Sequence, residues 1–83
     1  MYKNKGGIDM NIKVVKFKHY FPNAIGGILY LQLLCKQNAN KTFDLQTGFA
    51  ILDYFDCFPE NSEYTLGDWL KDTLENYPET FDN

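Results

Sequence analysis

Apolar and polar residues alternate through residues 11–21. Val15, Phe17, His19 and Phe21 fall on one parity; Lys16, Lys18 and Tyr20 fall on the other. A period of two is the signature of a half-buried strand, so a strand is expected here. Pro22-Asn23 and Gly26-Gly27 then break the pattern. The run Ile28 to Cys35 is apolar on both parities. It suits a central strand over 28–37 covered on both faces, with a buried helix as the alternative, because so short a run has no decisive period. The flanking Gly pair and the polar stretch Asn38-Ala39-Asn40-Lys41 favour a strand in a hairpin. Over 42–51, Phe43, Leu45, Phe49 and Ile51 alternate with Asp44, Gln46, Gly48 and Ala50, which reads as another strand with Gly48 at a bulge. From Leu52 to Phe58 both parities become apolar. A twisted strand and a short helix fit this segment equally, and Pro59 ends it.

Residues 65–77 are read as a helix. Thr65 is a natural N-cap, and Asp68 three positions later completes a capping box. Tyr64 and Trp69 fit a hydrophobic staple, Leu66, Trp69, Leu70, Leu74 and Tyr77 form an apolar stripe, and Pro78 stops the helix. After it, the tail from Glu79 is expected to fray, with Phe81 docking back. Assembled, these elements predict an α+β domain: an antiparallel sheet of three or four strands with the C-terminal helix packed across one face.

The length of 83 residues allows one domain. Residues 1–9 read as a disordered polar leader and 10–83 as the single globular body. Seven Phe, six Tyr and one Trp supply the apolar area that so short a chain needs. The most apolar run is far shorter than the roughly 20 residues of a membrane span, and nothing resembles a signal peptide. A cytoplasmic location is therefore expected, with Cys35 and Cys57 as free thiols packed like small hydrophobes.

Charge alters this picture once it is split along the chain. Residues 1–41 carry seven Lys against Asp9, giving +6. Residues 42–83 carry ten acids against Lys71, giving −9, and the sum is the net −3. In the proposed helix Asp68, Asp72 and Glu75 line the side opposite the apolar stripe, at a spacing where like charges repel. A solvated helix face is the plain interpretation; a docking face for a basic partner is the functional one. Asp53 and Asp56, with Glu60 and Glu63, surround Tyr54 and Phe58, a composition found at interfaces, where aromatic residues act as anchors. The plain alternative is an aromatic core turn with incidental acids.

Lys13, Lys16 and Lys18 with Tyr20 present bases among aromatics on a strand, the layout of a single-stranded nucleic-acid binder. Lysines there more often protect a sheet edge, and the chain has no Arg, the commonest base-reading side chain. Nucleic acid is thus the lesser expectation. His19, the single histidine, sits on an apolar parity and is expected to be packed. No nucleophile pairing, zinc spacing or phosphate loop can be placed, so neither catalysis nor a cofactor or metal is expected. The short, Lys- and Asn-rich, Arg-free composition resembles that of small accessory proteins of phages and mobile elements in low-GC bacteria, many of them stoichiometric inhibitors. The resulting expectation is a non-enzymatic inhibitor that binds a basic, nucleic-acid-handling protein through Asp68, Asp72, Glu75, Asp53, Asp56, Tyr54 and Phe58. The alternatives are a nucleic-acid binder and a structural homo-oligomer subunit.

Overall fold

The computed structural model describes residues 9–82, so the expected leader lies outside the described residues but for Asp9. Among the described residues the fold is helical throughout. A 3₁₀ turn, Val14–Lys16, runs into a single-turn helix α1 (Phe17–Tyr20). Helices α2 (Ala24–Ala39), α3 (Leu45–Phe55) and α4 (Leu66–Asn76) follow, and a second 3₁₀ turn covers Pro78–Thr80. The expected α+β sheet is overturned: its three strand segments are the α1 region, α2 and α3, and the only β pairing among the described residues is an isolated bridge between Lys13 and Thr65.

Local chemistry explains each replacement. Asn23 caps α2 by accepting a hydrogen bond from the Gly26 N–H at 3.0 Å, and Asp44 caps α3 by accepting from the Thr47 N–H at 2.8 Å. Such side-chain acceptors satisfy amide donors that a helix start leaves open. Holding its carboxylate against these donors keeps the Asp44 pKa below the usual value. At the other end of α2, Asn40 takes the left-handed conformation, φ 55°, and closes the helix where a hairpin turn was expected. The buried positions have helical spacing: Ile28, Leu31, Leu34 and Cys35 in α2, and Gly48, Ile51, Leu52 and Phe55 in α3. The apparent alternation through 42–51 arises because Leu45 and Phe49 lie one turn apart on an exposed flank of α3. In the ambiguous stretch Leu52–Phe58, α3 continues to Phe55 and then ends in a turn.

Gly48 is no bulge. A Cβ added there would fall onto the Ile28 side chain, 2.9 Å from Cγ1 and nearer still to Cγ2. Ile28 is fully buried, so the missing side chain is what lets α3 settle onto α2.

A column of rings joins the helices. Phe17 meets Phe55 edge-on at 5.7 Å, and Phe55 meets Trp69 edge-on at 5.6 Å, linking α1, α3 and α4. Phe21 and Tyr30 extend the column from the α1 side, 4.9 and 6.1 Å from Phe17. Edge-to-face pairs of this kind add to the stabilisation from buried area alone.

Helix α4 matches its expectation closely. Thr65 Oγ1 accepts from the Asp68 N–H, while the Asp68 carboxylate accepts from the Thr65 N–H, both near 3 Å. The next two donors are satisfied from the start of the chain: Leu66 N–H donates to the Ile12 carbonyl and Gly67 N–H to that of Met10. In the reverse sense, Val14 N–H donates to the Tyr64 carbonyl, so residues 10–14 form a strap across the beginning of α4. Leu66, Trp69, Leu70 and Thr73 form the buried face. Tyr77, expected on the apolar stripe, is exposed instead. The tail docks, with Phe81 buried against Phe43 and Asp82 N–H donating to the Thr42 carbonyl.

The Gly48–Ile28 contact is testable. In Gly48→Ala the clash costs about 1–3 kcal/mol, offset in part by about 1 kcal/mol of improved helix propensity. The expected outcome in urea unfolding is net destabilisation, and the Gly48→Ala penalty should shrink in an Ile28→Ala background, where both clashing γ carbons are gone. A more stable single variant would contradict the packing described.

Candidate functional site

The carboxylates of α4 face outward as its periodicity implied, and Asp68, Asp72 and Glu75 are all exposed. Their roles differ. Asp68 is engaged in the capping box. Asp72 accepts a hydrogen bond from the Tyr64 hydroxyl at 2.7 Å through Oδ2 and from the Asn76 amide at 2.9 Å through Oδ1. Both donors are neutral, so they orient the carboxylate without cancelling its charge. Among the described residues, none of these three acids forms an ion pair.

The second acidic group is different. Lys18 Nζ lies 2.8 Å from Asp56 Oδ2, and Lys13 Nζ lies 3.2 Å from Glu63 Oε1. Both pairs join the basic half of the chain to the acidic half. Being exposed, each is worth no more than about 1 kcal/mol, yet each offsets a carboxylate that would otherwise attract a partner. Asp53 is exposed and unpaired among the described residues. Tyr54 is 48% exposed, and Phe58 is half-buried between its edge-on contact with Tyr54 and its stack on Tyr64 at 4.9 Å.

The basic segment is not a strand presenting three lysines on a face. Lys13 precedes the 3₁₀ turn, Lys16 ends it and Lys18 lies in α1, with two of the three ion-paired. Tyr20 is exposed edge-on to His19, and His19 is exposed where a packed residue was expected. Cys35 is buried, which pushes its thiol up to about 12; Cys57, expected to be packed, is exposed.

Between α3 and α4 lies an open groove of about 330 Å³. Tyr54 comes from α3, Tyr64 from the residue preceding the α4 cap, Trp69 and Asp72 from α4, and Tyr77 from its end. Among the described residues, Asp72 is the single charged side chain lining it. Tyr54 and Asp72 were expected as partner-binding residues, and the fold brings them to one groove. Tyr64, Trp69 and Tyr77 were assigned to packing alone. The available signal was the rings at 64, 69 and 77, in and at either end of one helix, around an acid at 72. Asp53, Asp56, Phe58, Asp68 and Glu75 lie outside the lining.

A second surface feature is apolar: Ile25, Leu29 and Leu33 recur every four residues along α2, each more than two-fifths exposed. Among the described residues no cluster of three or more His, Cys, Asp or Glu is placed to hold a metal ion, and no helix is long and apolar enough to cross a membrane. No protein-family model, curated protein or solved structure matches the chain.

Burial, the hydrogen bond to Asp72 and the negative charge of that carboxylate raise the Tyr64 pKa well above its ordinary 10.0. The fold therefore stabilises the neutral phenol. Its contribution is complete below pH 10 and declines as the pH climbs from there toward the raised value. In an absorbance titration of the native protein, Tyr64 should give a late phenolate step above the ordinary tyrosine range. Tyr64→Phe should abolish that late step and flatten the loss of stability above pH 10. An unchanged titration in the variant would show that Tyr64 is not the residue held neutral.

Proposed function

We propose that the chain is a non-enzymatic protein-interaction module that presents the α4 acids and the adjoining aromatic groove to a basic protein. The observation that carries this reading is that Asp68, Asp72 and Glu75 remain outside every ion pair among the described residues, although the chain holds lysines that neutralise Asp56 and Glu63. Tyr54 and Tyr77 stand at the edge of the same surface, 48% and 60% exposed, and supply anchors of the kind that dominate interface energetics. Asp53 adds charge from α3, while Asp56 and Phe58 contribute less, being paired and half-buried. The composition's resemblance to phage and mobile-element accessory proteins suggests an inhibitor of a nucleic-acid-handling protein, with the carboxylates occupying a surface that phosphates otherwise fill. A cytoplasmic setting suits the two free thiols. Direct nucleic-acid binding is disfavoured, since Lys13 and Lys18 are already committed to carboxylates.

The test uses an octalysine peptide as a defined basic probe. Binding measured by calorimetry should weaken markedly between about 0.02 M and 0.3 M salt, as screening between exposed charges requires. Reversing Asp68, Asp72 and Glu75 to Lys should abolish it while the helical circular dichroism persists. Affinity indifferent to salt, or retained by the charge-reversed variant, would remove the basis for this function.

A second reading, a homo-oligomer subunit, is favoured by the Ile25, Leu29 and Leu33 stripe, since exposed apolar rows commonly mark association surfaces. It requires a dimeric or larger mass by light scattering that Leu29→Glu reduces to the monomer. A monomeric mass for the unaltered protein dismisses it.

A further inference from the structure

The groove between α3 and α4 combines features that select a particular kind of cation. Three tyrosines and the single tryptophan line it, and aromatic faces attract cations through the negative potential above the ring. Among the described residues its one charged lining side chain, Asp72, is negative, and no lysine lines it. Each oxygen of that carboxylate already accepts a hydrogen bond, from Tyr64 and from Asn76. The carboxylate is thereby fixed in place with its charge intact. An unmodified ammonium is compact and strongly hydrated, so it gives up more hydration than a methylated one on entering a groove lined largely by rings. A methylated ammonium has weaker hydration, fewer or no donors, and a positive charge spread over methyl groups that fit against rings.

We propose that the α3–α4 groove is a binding site for a methylated lysine side chain, seated against Tyr54, Tyr64 and Tyr77, with the largely buried Trp69 behind them and Asp72 as its counter-charge. This rests on the reading of the acidic face as a docking surface and names the side chain of the basic partner that it takes. Asp68 and Glu75 stand outside the lining and steer the partner, whereas the groove grips one residue of it. Tyr54 and Tyr77, from different helices, are the exposed rings at the mouth.

The probe is Nα-acetyl-trimethyl-lysine amide, titrated into ¹⁵N-labelled protein. Trp69 is the only tryptophan, so its indole N–H gives one resonance that reports on the groove. A saturable shift of that resonance is expected. The neutral isostere, with a tert-butyl carbon replacing the trimethylammonium, should bind about tenfold more weakly, as a cation–aromatic site demands. Unmodified lysine amide should bind more weakly as well. Asp72→Asn and Tyr77→Leu should each lower affinity for the charged probe severalfold, whereas Tyr77→Phe, which keeps the ring, should retain it. The amide spectrum of each variant verifies the fold. Equal affinity for the charged and neutral probes would reduce the groove to an apolar slot and overturn the proposal, as would equal binding of unmodified lysine or the absence of any saturable shift. These outcomes are separable from failure of the docking function. If octalysine binds with salt dependence while the trimethylated probe does not bind, the groove assignment falls and the acidic face stands; the opposite pair of results does the reverse.

Discussion

The ring column from Phe17 through Phe55 to Trp69 is the constraint on which the structure rests. It draws on three helices that share no cap, no turn and no sequence neighbourhood, and it fixes how α4 lies against α3. The groove beside it is a product of that arrangement. Trp69 and Phe55 meet at right angles, with the centroids 5.6 Å apart, and the same Trp69 side chain lines the groove. The Phe58 stack on Tyr64 continues the aromatic layer to the surface, where Tyr64 meets Asp72. Core and candidate site are thus one aromatic system with a dry end and a wet end.

Polar interactions divide the acidic half of the chain into two functional kinds. Near the N-terminal lysines, carboxylates are matched by ammonium groups across the surface, an arrangement that makes little difference to stability but leaves little field to act at a distance. Along α4, the Asp68 and Asp72 carboxylates are held by neutral donors, namely one backbone amide at the cap, a phenol and a side-chain amide. Such donors position a charge and leave it uncompensated, as a surface that attracts a cation requires.

The sequence made α4 legible and the remainder misleading, for reasons that lie in particular residues. Thr65 and Asp68 form a cap through side chains three positions apart, so local chemistry alone determines it. For α2 and α3 the caps Asn23 and Asp44 and the terminating Asn40 were equally local, but the glycines at 26, 27 and 48 and the mixed parity of Ile28 to Cys35 outweighed them. Two of those glycines serve tertiary approach. Gly48 faces Ile28, and a Cβ on Gly27 would sit 3.0 Å from the Phe17 ring. Neither relation exists until the helices have met, so no reading of neighbours along the chain could reveal it. The acidic row was visible for the same reason as the cap, since a single helix carries it. The groove was not, because its rings come from three segments and look like core until their exposure is known.

The strap formed by residues 10–14 has a consequence for how the molecule assembles. Helices α2 and α3 adjoin in the chain and can pair through short loops, the quick kind of encounter. The start of α4, by contrast, is completed by carbonyls more than fifty residues upstream, from Met10 and Ile12. Closing so wide a ring carries an entropic penalty that nothing recovers before the rest has condensed. Residues 10–14 thus tie the beginning of the domain to the start of the groove-forming helix, and loosening at the one would be felt at the opposite end of the sequence.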